Sequence, residues 1–173
     1  MSLPLTDDRI LRSFIEFNGS DVGDLAYSDP RDGGNGMDVA AYTLQDNVNY
    51  DVNGTIDVPD ISGYWTFSGL SDATSGDTVP ANAHGATSGT VNNKVRRTNR
   101  SDKLEYQAAF EKNRDPTSGG DSGMPWIDDD GDVICQHWGD KTTWLGETWN
   151  VGGVAQYVLR RGSAYLSPNT CLV

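Results

Sequence analysis

The stretch that decides the fold runs from Ser118 to Gly139: Ser118-Gly119-Gly120-Asp121-Ser122-Gly123-Met124-Pro125-Trp126-Ile127-Asp128-Asp129-Asp130-Gly131-Asp132-Val133-Ile134-Cys135-Gln136-His137-Trp138-Gly139. Its centre is Gly120-Asp121-Ser122-Gly123. The glycines let the backbone turn sharply and leave the Ser122 hydroxyl unshielded. A serine presented in this way suits a nucleophile. Two neighbouring backbone N–H groups facing one point would bind an oxyanion. Beyond it lie a short apolar run, Pro125 to Ile127, then an Asp/Gly turn, then a second run, Val133 to Trp138. This order predicts a β-hairpin behind the serine.

The arrangement resembles the nucleophile segment of the trypsin- and chymotrypsin-like serine proteases. That family carries Gly-Asp-Ser-Gly-Gly-Pro, a hairpin, and a strand ending Ser-Trp-Gly. The counterparts here are Gly120 to Pro125 and His137-Trp138-Gly139, with Met124 in place of the second glycine and His137 in place of the serine. Three further stretches resemble the family in the same order. Met37 to Leu44 reads as a buried strand, apolar on both faces and opened by Asp38. By itself Asp38 is a turn residue that starts a strand; beside the family it resembles the Asp-Ile-Ala segment of the catalytic acid. Ala83 to Val91 resembles the Gly-x-Thr-x-Gly-x-Val entry of the second barrel, and its small residues let two backbones approach closely. Val151 to Leu159 resembles the penultimate strand. Arg160 to Val173 then reads as a tail in which Gly162 and Pro168 oppose a long helix.

The resemblance implies an all-β protein of trypsin-like Greek-key β-barrels, with the second barrel complete and the first truncated. Residues 1–60 would form the partial first barrel and a linker, and residues 61–173 the second barrel. Ser122 would be the nucleophile and Asp38 the orienting acid, with the N–H groups of Gly120 and Ser122 as the oxyanion hole. Trp138 and Gly139 would lie beside a polypeptide substrate bound as an added strand. Pro116 stands where trypsin keeps the aspartate that selects basic side chains, so cleavage after Lys or Arg is not expected. A shortened first barrel leaves strand edges uncovered, which implies a partner chain or an oligomer as cover.

The base is the difficulty. The family's histidine precedes its aspartate, whereas the only histidines here are His84 and His137, both after Asp38. Loss of one triad member costs about 10⁴ to 10⁶ in rate. Three readings stay open. The chain is a serine endopeptidase domain whose histidine lies outside it. It is an inactive homologue kept as a structural or binding protein. Or His137, whose family counterpart packs beside the catalytic acid, replaces the base. His84 falls in a loop on the far rim. From another class, an Asp/Gly/Ser-rich structural protein would hold Gly-Asp-Ser-Gly as a mere turn.

Composition narrows the partners. The net charge is −12, with 25 acidic residues against 13 basic. Such a surface opposes nucleic acid and anionic membranes. A salt-tolerant halophilic surface, calcium binding and plain solubility all account for it, and the bias toward Asp and Arg favours the first. Lys94, Arg96, Arg97, Arg100 and Lys103 read as a solvated edge. Asp128 to Asp132 lacks the ligand spacing of an EF-hand and reads as a solvated turn. No cofactor or metal is expected. No signal peptide is visible, and an extracellular or virion-associated place is favoured. Cys135 reads as a small buried apolar residue, with pairing to Cys171 left open. Elsewhere the pattern predicts a helical turn leading into a strand over 5–17, a turn at Gly19 to Gly23, and strands at Asp24 to Tyr27 and Tyr64 to Phe67. Leu104 to Phe110 reads as strand or helix, and the family resemblance implies a strand. Ser68 to Gly76 reads as a turn.

Overall fold

The computed structural model describes residues 14–17, 20–29, 39–44, 61–101, 104–112, 117–142 and 145–165. Ten strands and two helices lie among them. Strands β1 (Phe14–Phe17), β2 (Ser20–Asp29) and β3 (Val39–Leu44) form an antiparallel sheet in sequence order. Phe17 pairs with Ser20, and Ser20 to Gly23 belong to β2 where a turn at Gly19 to Gly23 was expected.

The second sheet closes on itself. Strands β5 (Val79–Gly85), β6 (Gly89–Ser101), β7 (Leu104–Lys112), β8 (Pro125–Ile127), β9 (Asp132–Thr142) and β10 (Thr148–Val154) run in the order β10-β7-β6-β5-β8-β9. Pairing of β9 with β10 completes a six-stranded antiparallel barrel. A two-residue strand, β4 (Gly63–Tyr64), adds parallel to β9.

Alternation fills the barrel. Along β5, Val79, Ala81, Ala83 and Gly85 face inward while Pro80 and His84 are exposed, the period of two that a pleated strand imposes. The small inward residues leave room for Phe110 and Trp126, both fully buried, with ring centroids 4.6 Å apart. Val95, Ile134, Cys135 and Val154 complete the centre. Met124, which stands where the family has glycine, turns its side chain into this core. Cys135 is a free thiol, and burial pushes its pKa up. Cys171 lies outside the described residues.

Two expectations fail around the barrel. Tyr64 to Phe67 is not a strand; after β4 the chain enters helix α1 (Phe67–Ala73) where a turn was expected. Thr66 caps it, its hydroxyl accepting from the Gly69 N–H at 3.1 Å, and Leu70 is its one buried residue. Seven residues with one apolar anchor are too few to display a 3.6-residue period. Likewise Val151 to Leu159 divides into the end of β10 and helix α2 (Ala155–Tyr165), which runs through Gly162. Tertiary contacts set this helix. Gln156 accepts the Phe67 N–H at 3.0 Å, and Tyr157 stacks on Tyr106 with ring centroids 3.3 Å apart. Phe67 meets Tyr106 edge-on at 5.0 Å, so α1, β7 and α2 share one aromatic clasp. Tyr106 takes φ +57° at that point, a left-handed conformation unusual for an aromatic residue.

The acidic turn is solvated at Asp129 and Asp130, which are exposed, but not at Asp128. Asp128 is buried, and its Oδ1 accepts the N–H groups of Asp130 and Asp132 at 3.0 and 2.8 Å. Its Oδ2 accepts the Trp65 indole N–H at 2.7 Å. The carboxylate thus shapes the β8–β9 turn and ties residue 65 to it.

Barrel closure has a direct test. A Cβ on Gly152 would overlap the Gln136 carbonyl oxygen and come 2.9 Å from the Cys135 sulfur. Gly152→Ala is expected to destabilise the protein by about 1–3 kcal/mol through forced overpacking, read as a lower urea midpoint by circular dichroism.

Candidate active site

The nucleophile turn hangs from one buried carboxylate. Asp121 is 1% exposed. Its Oδ1 accepts the N–H groups of Thr87 and Ser88 at 2.8 and 3.2 Å. Its Oδ2 accepts the Ser88 hydroxyl at 2.6 Å and the Ser118 N–H at 2.8 Å. The Ser88 hydroxyl, then the Ser118 and Thr87 N–H groups, hold the carboxyl far below the usual carboxylate range. The donors at 87 and 88 come from the β5–β6 turn. Glycine is needed where that turn meets the serine loop: a Cβ on Gly85 would collide with the Asp121 carboxylate, and one on Gly120 would sit 2.6 Å from Thr87 Oγ1. The expected Gly85-x-Thr87-x-Gly89 entry is therefore a cradle for residue 121. Sequence reasoning noted the glycines and missed Ser88 and the carboxylate it binds.

With the anchor set, the turn presents its backbone. Gly120 and Gly123 take φ of +105° and +93°, the left-handed region open to glycine. The Asp121 N–H donates to Ser118 O, that of Gly123 to His137 O, and that of Met124 to Asp121 O. Among the described residues, the N–H groups of Gly120 and Ser122 take no part in these bonds, and Ser122 is exposed between them. These are the two donors and the hydroxyl singled out from the sequence.

β9 brings the next residues alongside. The His137 N–H donates to Met124 O at 2.9 Å, so His137 lies across from the serine turn. Its ring is buried, 3% exposed, and its Nδ1 accepts the Trp126 indole N–H at 3.4 Å. Trp138 is buried and Gly139 half-buried with φ +133°. Pairing of β9 with β8 ends at Gln136, so among the described residues Trp138 to Thr142 pair only with β10. Further along, fully buried Asn150 donates from Nδ2 to Thr117 Oγ1 at 3.0 Å and to Asp140 Oδ1 at 2.5 Å. Its Oδ1 accepts Asn93 Nδ2 at 3.0 Å. This knot binds the segment before Ser122 to the strand beyond Gly139. His84 is exposed on β5, not in a loop, and its Nδ1 lies 3.1 Å from the Thr90 hydroxyl. Asp38 and Pro116 lie outside the described residues. A cleft of about 580 Å³, mostly apolar, opens beside Gly123, with Ile61, Tyr64, Pro125 and Val158 in its walls.

The depressed pKa of Asp121 fixes the sign of a pH effect. The carboxylate binds its proton less readily folded than unfolded. Its contribution to stability is complete above the unfolded pKa, about 4, and is lost as pH falls below that toward the folded value. In urea titrations from pH 7 to pH 2, Asp121→Asn is expected to flatten the fall in stability below pH 4. Ser88→Ala is expected to move that fall to higher pH.

The fold has known counterparts, although no family model and no curated protein matches the sequence. The chain resembles in structure a glutamic-acid-specific serine protease described as using a histidine triad in substrate binding. The TM-score is 0.57 at 16% identity, over 84% of this chain and 73% of that one. The apo protease domain of MamO from Magnetospirillum magneticum matches with TM-score 0.44 at 14% identity, over 86% of this chain and 72% of that one. The fold of this chain is that of the trypsin- and chymotrypsin-like serine proteases.

Proposed function

We propose that the chain is a trypsin-like serine endopeptidase domain that cleaves polypeptides by acyl transfer through Ser122. The observation that carries the reading is an exposed Ser122 in a turn whose Gly120 and Ser122 N–H groups no protein acceptor takes among the described residues. Donors fixed in advance around a developing oxyanion are the largest single contribution in acyl transfer. The edge of β9 from Trp138 to Thr142 offers a substrate backbone a strand to pair with.

The reading takes its base from polypeptide outside residues 1–173, with Asp38 orienting it. His137 fits the role poorly. A neutral imidazole that accepts at Nδ1 carries its proton on Nε2 and has no lone pair left for the serine proton. The apolar cleft beside Gly123 is where the polypeptide bearing the base would dock. The second reading is an inactive homologue with a structural or binding role. It is favoured by one observation: among the described residues, no histidine is hydrogen-bonded to the Ser122 hydroxyl.

A fluorophosphonate probe separates the two. The endopeptidase reading expects covalent labelling of the chain together with the polypeptide that supplies the base, and none after Ser122→Ala. His137→Ala is expected to leave labelling in place. Absence of labelling with every upstream segment supplied would leave the inactive homologue.

A further inference from the structure

Residues 92–114 carry seven cationic side chains against three acidic ones, in a chain of net charge −12. β6 and β7 run through this region, and two β-bulges shape their outer face. On β6 the register steps from Val95↔Phe110 to Arg97↔Ala109, which makes Arg96 an extra residue; Arg96 and Arg97 are both exposed. On β7 the register against β10 steps from Trp149↔Lys112 to Val151↔Ala109, which places a second extra residue on β7. Bulges interrupt pairing and re-aim side chains. Here they border one cavity of about 560 Å³, whose lining includes Arg96, Arg97, Glu111, Lys112 and Trp149.

Trp149 holds the cations in place. The Arg97 guanidinium carbon lies 4.2 Å from the ring centroid and the Lys112 ammonium 5.1 Å. A guanidinium stacked on a ring keeps its in-plane N–H groups available to a planar acceptor. Lys112 is already paired with Glu147 at 2.8 Å, and among the described residues no carboxylate is paired with Arg96 or Arg97. The Trp149 indole N–H is buried and has no hydrogen-bond partner among the described residues.

We propose that this cavity is a docking site for a carboxylate-rich polypeptide segment. Arg96 and Arg97 take its carboxylates as bidentate pairs, and the Trp149 wall meets their apolar stems. A short acidic peptide presents its charge only at this patch. A long polyphosphate backbone would lie across the acidic remainder of the surface and be repelled. The cavity shares no lining residue with the cleft beside Gly123, so binding here does not depend on the chemistry of Ser122.

The test uses fluorescein-labelled hexaglutamate and the full chain, with binding followed by anisotropy at low ionic strength. Saturable binding is expected, weakened at least about tenfold in the exposed-site double variant Arg96→Gln/Arg97→Gln. It is also expected to weaken in about 0.5 M salt, where screening reaches only a few ångströms, and to be unchanged in Ser122→Ala. Three results overturn the proposal: no saturable binding, equal binding by the double variant, or tighter binding of an oligothymidylate of the same charge.

Discussion

The structure depends on a buried carboxylate that has no counter-ion among the described residues. Asp121 keeps its charge because four donors from two chain segments converge on it: two backbone N–H groups and a hydroxyl from the β5–β6 turn, and one N–H from Ser118. An ionised group in a dry site is tolerated only when hydrogen bonds replace its water. The result is a joint between the turn at 85–89 and the turn at 118–124. Neither could keep its shape alone, since both pass through positions that admit no side chain.

The geometry of the serine turn follows from that joint. Residue 121 turns inward, so residue 122 turns outward. The N–H groups of 121, 123 and 124 are taken by carbonyls, whereas those of 120 and 122 have no such acceptor among the described residues. The barrel supports the turn from behind through Met124, which packs in the core, and through His137, whose main chain pairs with 123 and 124. Asn150 holds the two rims together at the other end. Such buried and fully bonded polar groups specify one arrangement of the loops around them.

The charge is unevenly distributed along the chain. Negative charge is spread along the chain, whereas more than half of the cations fall in one hairpin and its sequel, 92–114. Asp128 shows that part of the acidity is architectural, because its carboxylate forms a turn and anchors Trp65 in place of facing solvent. Counting charges therefore overstates how much of the Asp content serves solvation.

Much was legible from local pattern alone. The hairpin behind Ser122 and the turn that exposes the serine follow from glycine placement, and β3 from a short run that is apolar on both faces, signals that act within a few residues. The strand β7 is implied only by the family resemblance. What lay beyond reach was long-range. Ser88 and Asp121 are 33 residues apart and look like ordinary turn residues until the barrel closes. Helix α1 has one buried anchor, and α2 runs through Gly162 because contacts with Phe67 and Tyr106 outweigh its local propensity. The sequence by itself determined which residues would turn, alternate and expose a hydroxyl. Only the folded barrel decided which distant donors meet a buried charge, because desolvation and hydrogen bonding take effect when segments far apart in the chain come into contact.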